Sequence, residues 1–163
     1  MKVAKFLTLL SGLLVLSSLS SAEVQYKTET MVEGLDHPWS MAFISSRHML
    51  VTELSGQLRL VTDGELSETP IEGVPEVLFA GQGGLSEVLV HPNFEENGFI
   101  YLSFSAPDAD EPKLNRLNVV RARLEGEALV GHKTIFKSNP PRKAAAHYGA
   151  RLAFMADGSL LIT

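Results

Sequence analysis

Residues 152–163 read LAFMADGSLLIT, and they align without gaps with MAFISSRHMLVT at residues 41–52. Each stretch is an apolar triplet that ends in Phe, followed by a loop and then by an apolar strand that ends in Thr. Residues 88–103, VLVHPNFEENGFIYLS, repeat this unit with a longer loop. Short apolar runs bounded by turn residues are typical of antiparallel β-structure. The repeat therefore predicts a series of strand–turn–strand units.

The intervals between these units have room for further strands, at residues 58–61, 119–123 and 134–136. Sets of short strands that recur at this spacing indicate the blades of an all-β propeller. A chance likeness among β-hairpins is the alternative. Residues 30–163 supply roughly two and a half blades, whereas a propeller needs about four to close its ring. We therefore expect residues 23–163 to be the N-terminal part of a longer, truncated propeller domain.

The first 22 residues differ in composition from the rest of the chain. Lys2 and Lys5 give a positive start, residues 6–16 are mostly apolar, and Ser20 and Ala22 occupy the positions that a signal peptidase reads. The apolar stretch is short for a bilayer span, so a cleaved signal peptide at residues 1–22 is favoured over a membrane anchor. The sequence thus predicts a periplasmic or secreted protein without stable membrane insertion after cleavage.

Charge and cysteine content exclude several classes of function. Without the two lysines of the predicted signal peptide, 12 basic and 19 acidic residues remain, a net charge of −7. No basic stripe is present, so nucleic acid is not an expected partner. The chain contains no cysteine, which excludes disulfides, thiolate nucleophiles, zinc–thiolate sites and a cysteine-linked lipid anchor.

His147 is the first candidate for a chemical role, in the stretch AAAHYGARLAF at residues 144–154. It precedes a predicted strand and has small neighbours, so it could be held at a strand end that faces a cleft. An imidazole with the ordinary pKa near 6.5 accepts protons at neutral pH. A purely structural role is the alternative.

The other four histidines favour structural roles. His37 and His91 each precede a proline, which disfavours helical backbone, so we expect them in extended turns at strand boundaries. His48 and His132 fall in polar stretches and are expected in loops. No pair of histidines has metal-ligand spacing.

Residues 80–104, AGQGGLSEVLVHPNFEENGFIYLSF, contain a glycine-rich turn. Gly81, Gly83 and Gly84 permit positive φ or a close backbone approach, and Gln82 offers both a donor and an acceptor. The pattern is not the dinucleotide-binding fingerprint. A tight turn between blades is the structural alternative.

Three further features are expected to be structural. Trp39 is predicted to pack against the adjacent blade. Residues 108–111, DADE, lack the glycine and the terminal glutamate of an EF-hand, so a solvated loop is favoured over a calcium site. Arg142 and Lys143 follow two prolines and are expected to be exposed.

Three stretches, GLDHPWSMAF (34–43), GQGGLSEVLVHPNFEENGFIYLSF (81–104) and HYGARLAFMADGSLLIT (147–163), together resemble the exported quinoprotein sugar dehydrogenases of the glucose/sorbosone dehydrogenase family. The resemblance implies a six-bladed β-propeller with pyrroloquinoline quinone (PQQ) and Ca²⁺ near its axis. It also implies oxidation of the C1 hydroxyl of aldose sugars to lactones, with an external electron acceptor.

The resemblance assigns roles to individual residues. His147 matches the catalytic base, which takes the proton of the anomeric hydroxyl as a hydride passes to PQQ. Gln82 matches a glutamine beside the cofactor and the sugar, and Arg151 matches a recurrent arginine with a structural role. The positions that match blade-shaping residues are His91, Pro92 and Phe94.

The sequence also departs from the family pattern. The glucose dehydrogenase branch has an aspartate where this chain has Ala146, so the broader aldose branch fits better. Ser86 and Glu87 stand where relatives more often have an apolar residue and an aspartate. The family's calcium ligands, and the basic residues that hold the PQQ carboxylates, lie in later blades. We therefore assign no metal ligand here and expect the 163-residue chain neither to bind PQQ tightly nor to oxidise sugar alone.

Two other functions remain open from the residues alone. One is a propeller hydrolase of the lactonase type, which would hold a catalytic metal with carboxylates on the propeller axis. The other is a non-catalytic propeller fragment that binds a partner.

Overall fold

The computed structural model of the chain describes residues 26–163. The predicted signal peptide at residues 1–22 lies outside the described residues. The first antiparallel sheet has the strand order β1 (Pro38–Phe43), β2 (His48–Glu53), β3 (Gln57–Thr62) and β4 (Glu65–Leu66). The second has the order β5 (Leu85–Val90), β6 (Phe99–Pro107), β7 (Asn115–Glu125) and β8 (Ala128–Lys137). A final hairpin pairs β9 (Leu152–Phe154) with β10 (Leu160–Ile162).

The three sequence repeats form the same structural element, the hairpin that begins each sheet. These hairpins are β1–β2, β5–β6 and β9–β10, and all three are antiparallel. The strands predicted at residues 58–61, 119–123 and 134–136 lie in β3, β7 and β8. The two four-stranded antiparallel sheets are like propeller blades, which confirms the predicted fold class. Strand β4, with two residues, is too short to leave a readable pattern.

The hydrophobic core lies between the two sheets. Leu50 and Leu58 of the first sheet and Leu85, Ile100 and Leu102 of the second are fully buried in one cluster. Burying side chains of this size contributes about 1.5–3 kcal/mol each. Strand β5 packs against β1, β2 and β9. The loops that precede β5 and β9 are therefore attached to strands that pack against each other.

A single helical turn, α1 (Phe94–Asn97), connects β5 to β6 and ends at Gly98 with φ +64°. Its neighbour His91 follows β5, at a strand boundary as predicted. The His91 ring lies 5.3 Å from the ring of Phe154 and stacks on Tyr101 at 6.2 Å, measured between centroids. These contacts link the second sheet to the final hairpin. Within residues 26–163, no helix has the length and apolar character needed to cross a membrane.

His37 lies directly before β1, at a strand boundary as predicted, but the predictions for its backbone and for His48 and His132 need correction. His37 has φ +48° rather than an extended backbone. Its carbonyl accepts a hydrogen bond from the Leu54 N–H at 3.1 Å, and its ring Nδ1 lies 2.5 Å from Asp36 Oδ1. These contacts hold the turn against the preference imposed by proline. His48 begins β2 and His132 lies within β8, because backbone pairing extends each strand beyond its apolar centre.

Burial at Trp39 and at Asp108 differs from the sequence-based expectation. Trp39 lies on β1 and is 53% exposed, so less than half of its surface is covered. Asp108 is buried, and its Oδ1 accepts backbone hydrogen bonds from Asp110 at 3.2 Å and Glu111 at 3.1 Å. Its Oδ2 pairs with Arg116. The loop at 108–111 is thus solvated at residues 109–111, which are exposed as predicted, while Asp108 fastens it to the second sheet.

Candidate functional site

Gln82 and His147, the two predicted site residues, are neighbours in space. Gln82 lies in the loop before β5, and His147 lies in the segment before β9. The His147 N–H donates to Gln82 Oε1 at 2.9 Å, and the Gln82 N–H donates to the Ala145 carbonyl at 2.8 Å. These two hydrogen bonds join loops that are 65 residues apart in sequence.

Glycine is required where these two loops meet. Gly81 has φ +59°, and a Cβ added there would collide with the Ala145 carbonyl oxygen. Gly84 has φ +147°, and a Cβ there would collide with the carbonyl of Leu54 in the first sheet. The glycines thus allow close approach between parts of the chain's own backbone. This is the tight turn between blades that was the structural alternative for the motif.

We call residues 142–150 the His147 loop. Three of its residues have left-handed backbone conformations: His147 at φ +57°, Gly149 at +70° and Ala150 at +74°. Such conformations cost about 1–3 kcal/mol for residues other than glycine, and they persist where surrounding contacts enforce them. The Ala150 carbonyl accepts a hydrogen bond from Ser103 Oγ at 2.6 Å, and its N–H donates to the Thr163 carbonyl at 2.7 Å.

Two cavities meet at the His147 loop. One has a volume of about 420 Å³ and is lined by Trp39, Gln82 and Ser86 among others. The other has a volume of about 250 Å³ and includes Arg142 in its wall. His147 and Tyr148 line both cavities, and no acidic side chain lines either one within residues 26–163. A proton acceptor at this position can reach a ligand bound in either cavity.

The sequence analysis missed the polar residues that surround His147. Arg142, expected to be exposed, is half-buried and donates from Nη2 to the His147 carbonyl at 3.0 Å. Its guanidinium lies 4.6 Å from the centroid of the Tyr148 ring, and Tyr148 Oη donates to Asn115 Oδ1 at 2.6 Å. Burial raises the pKa of Tyr148 above its ordinary value of 10, so its hydroxyl remains a donor at neutral pH. No local sequence pattern signals these contacts.

Arg151, matched to a structural arginine, forms an ion pair beneath the site. Its Nη1 lies 3.1 Å from Oε2 of Glu87, a buried residue of β5. Burial raises the pKa of the Glu87 carboxyl, and the positive charge of Arg151 opposes this shift. The Glu87 N–H donates to Ser103 Oγ at 3.0 Å, and Ser103 in turn bonds to Ala150. The pair therefore belongs to the contacts that hold the end of the His147 loop.

The geometry defines a cavity with an imidazole, a primary amide and aromatic rings in its walls. Within residues 26–163, no three His, Asp or Glu side chains gather where they could hold a metal ion. The ring nitrogens of His147 receive no hydrogen bond from the described residues, whereas its backbone is bonded on both sides. The position of the His147 ring is therefore set by the hydrogen bonds of the His147 backbone.

Comparisons with known proteins agree on one family. A family model described as "Glucose / Sorbosone dehydrogenase" matches residues 35–163. The aldose sugar dehydrogenase of Escherichia coli is 34% identical over 147 residues, covering 90% of this chain and 40% of its own length. The chain spans well under half the length of the curated relatives it matches.

Solved structures give the same result. A crystal structure of a glucose dehydrogenase superposes with a TM-score of 0.77 and 39% identity, over 82% of this chain and 39% of the other. The PQQ-bound form of an aldose sugar dehydrogenase from Streptomyces coelicolor superposes with a TM-score of 0.64 and 26% identity, over 81% of this chain and 39% of the other.

Proposed function

The chain belongs to the glucose/sorbosone dehydrogenase family, and we propose that it is the N-terminal part of a PQQ-dependent aldose sugar dehydrogenase. The observation that supports this most strongly is the hydrogen bond between Gln82 and His147 beside the cavity of about 420 Å³. Both residues lie within the span of the family match. An aldose sugar dehydrogenase is among the relatives, and another was solved with PQQ bound.

The proposed reaction oxidises the C1 hydroxyl of an aldose to a lactone. His147 accepts the proton of this hydroxyl at a ring nitrogen, and general-base catalysis of this kind contributes about 10²–10⁴-fold in rate. Gln82 uses its Oε1 to hold the His147 backbone, so its Nε2 donors are available to orient a sugar or a cofactor oxygen. PQQ, when bound, supplies the quinone that accepts the hydride from C1.

The residues present fit one side of such a cofactor. Trp39 and Tyr148 offer aromatic surface, Gln82 and Ser86 offer hydrogen bonds, and no described acidic side chain in the wall would repel an anionic ring system. Carboxylates buried from water need paired cations, and no lysine or arginine lines this cavity within residues 26–163. The chain alone is therefore expected to bind PQQ weakly.

The proposal includes several parts that rest on the resemblance or on the N-terminal sequence. Ca²⁺ and an external electron acceptor belong to it because the family motifs imply them. Export to the periplasm or outside the cell follows from the predicted signal peptide at residues 1–22. Ala146, in place of an aspartate, favours a broad aldose specificity over strict glucose specificity.

A chimera tests the proposed function. Residues 26–163 replace the matching segment of the E. coli aldose sugar dehydrogenase, and the product is titrated with PQQ and Ca²⁺. We expect PQQ binding and reduction of a dye that depends on added aldose, with several aldoses accepted. The isolated 163-residue chain is expected to bind PQQ only weakly and to reduce no dye. A chimera that binds PQQ but reduces no dye with any aldose would contradict the proposal, and hydrolysis of a lactone by the chain would favour the hydrolase alternative.

A further inference from the structure

Both polar backbone groups of His147 are bonded to side chains. Its N–H donates to Gln82 Oε1 at 2.9 Å, and its carbonyl accepts from Arg142 Nη2 at 3.0 Å. The residue between these bonds has φ +57°, a left-handed conformation that is strained for a residue other than glycine and persists where surrounding contacts enforce it. Gln82 has a counterpart in the family motif, whereas Arg142 has no role assigned by it. Of the two side chains that bond to the His147 backbone, Arg142 is therefore the one without an assigned role.

Arg142 is itself attached to the second sheet. Its backbone N–H and carbonyl both pair with the backbone of Asn115, at 2.8 Å in each direction. Asn115 is the buried first residue of β7. The guanidinium lies over the ring of Tyr148 at 4.6 Å, and the Tyr148 hydroxyl bonds to the Asn115 side chain at 2.6 Å. Arg142, Asn115 and Tyr148 therefore form a closed set of contacts between a strand and the His147 loop.

We propose that Arg142 is a positioning residue for His147. Its hydrogen bond to the His147 carbonyl and its contact with the Tyr148 ring hold the His147 backbone in the left-handed conformation, and this places the imidazole between the two cavities. The inference rests on the proposed function of His147 as the proton acceptor. A guanidinium offers donors and no acceptor, so Arg142 acts by geometry and not by accepting the proton.

The Arg142 side chain makes two contacts at the same time, a hydrogen bond to the His147 carbonyl and a contact with the Tyr148 ring. A planar guanidinium can stack on an aromatic ring while an N–H in its plane donates to a carbonyl. A lysine can donate to the carbonyl but cannot stack in the same way. A misplacement of about 1 Å at a reacting group costs about 10²-fold in rate. Loss of Arg142 should therefore lower kcat rather than weaken sugar binding.

Hydrogen exchange on the 163-residue chain tests the positioning without any cofactor. In Arg142→Met, the amides of His147 and Ala150, which each donate a hydrogen bond, should exchange about 10-fold faster, because a hydrogen bond from a charged donor is lost and the loop opens more readily. Arg142→Lys, which keeps a donor, should show a smaller increase. Arg123→Met is the matched control, since Arg123 also lies over an aromatic ring, Phe99 at 5.3 Å, and makes no hydrogen bond to the His147 loop.

Kinetics of the PQQ-loaded chimera supply the functional readout. Arg142→Met should lower kcat at least 10-fold and change the KM for the aldose less than threefold, with partial recovery in Arg142→Lys. Exchange at the His147 and Ala150 amides that stays at the native rate in Arg142→Met, or that rises equally in Arg123→Met, would overturn the inference. So would a rise in KM with an unchanged kcat. A chimera that carries the native loop and is inactive would count against the proposed function. The hydrogen-exchange result would still test whether Arg142 positions the His147 backbone.

Discussion

Replacing Gly81 by alanine is expected to loosen the contact between Gln82 and the His147 loop. The new Cβ would lie about 1 Å inside the 3.4 Å limit of ordinary contact with the Ala145 carbonyl oxygen. That oxygen accepts the Gln82 N–H at 2.8 Å. A displacement of about 1 Å would break this bond, because hydrogen bonds lose their strength beyond about 3.2 Å.

The expected loss of folding stability in Gly81→Ala has two contributions. Alanine in the left-handed conformation costs about 1–2 kcal/mol relative to glycine. Loss of the hydrogen bond between Gln82 and Ala145 adds about 0.5–1.5 kcal/mol. Gly126 provides a control for the first part, because its φ of +60° nearly equals the +59° of Gly81 and nothing lies within 4 Å of an added Cβ. The free energy of unfolding should therefore fall by about 1 kcal/mol more in Gly81→Ala than in Gly126→Ala.

The assay is denaturant unfolding of both variants, combined with hydrogen exchange at two amides. The amides of Gln82 and His147 should exchange faster in Gly81→Ala and at the native rate in Gly126→Ala, because only the first substitution separates the two loops. Equal destabilisation by the two variants, together with unchanged exchange at both amides, would refute the reasoning about close approach.

Three further substitutions test the contacts around the site. Glu87→Gln removes a carboxyl whose pKa is raised by burial above 4.5. A raised pKa means that the folded state holds its proton longer, so the native chain loses stability as pH rises through this window. Unfolding measured from pH 4 to 7 should therefore show the stability of Glu87→Gln rising relative to the native chain, and a fall relative to the native chain over this range would contradict the prediction. Ser103→Ala leaves the Ala150 carbonyl without its 2.6 Å donor and should lower the free energy of unfolding by about 1–3 kcal/mol, whereas an unchanged denaturation midpoint would show that the bond is dispensable. Leu102→Ala, in the core between the sheets, should cost about 2–5 kcal/mol by the same assay, and a loss below 1 kcal/mol would contradict its place in that core.

The β-strands could be predicted because their signals are local. The repeats at residues 41–52, 88–103 and 152–163 each contain two apolar runs and a turn, and each forms a hairpin. Alternation and turn residues act over a few positions, so they leave a readable pattern. His37 departs from its prediction because long-range contacts with Leu54 and a neighbouring carboxylate override the local preference.

The candidate site could be predicted only in part. The proximity of Gln82 and His147 follows from no spacing rule, since 65 residues separate them, and only the family resemblance suggested it. Arg142 and Trp39 were misplaced because burial depends on how blades and loops pack together. Arg142 pairs with Asn115 at the start of β7, and Trp39 lies at the cavity wall.

The most direct test of the account is the turnover of the PQQ-loaded chimera with and without His147. Aldose-dependent dye reduction is measured for the native loop and for His147→Asn, with PQQ binding followed by titration in both. The account predicts that kcat falls by about 10²–10⁴-fold in the variant while the cofactor still binds, because the proton acceptor alone is removed. Equal turnover by the two proteins would contradict the assignment of His147 as the base.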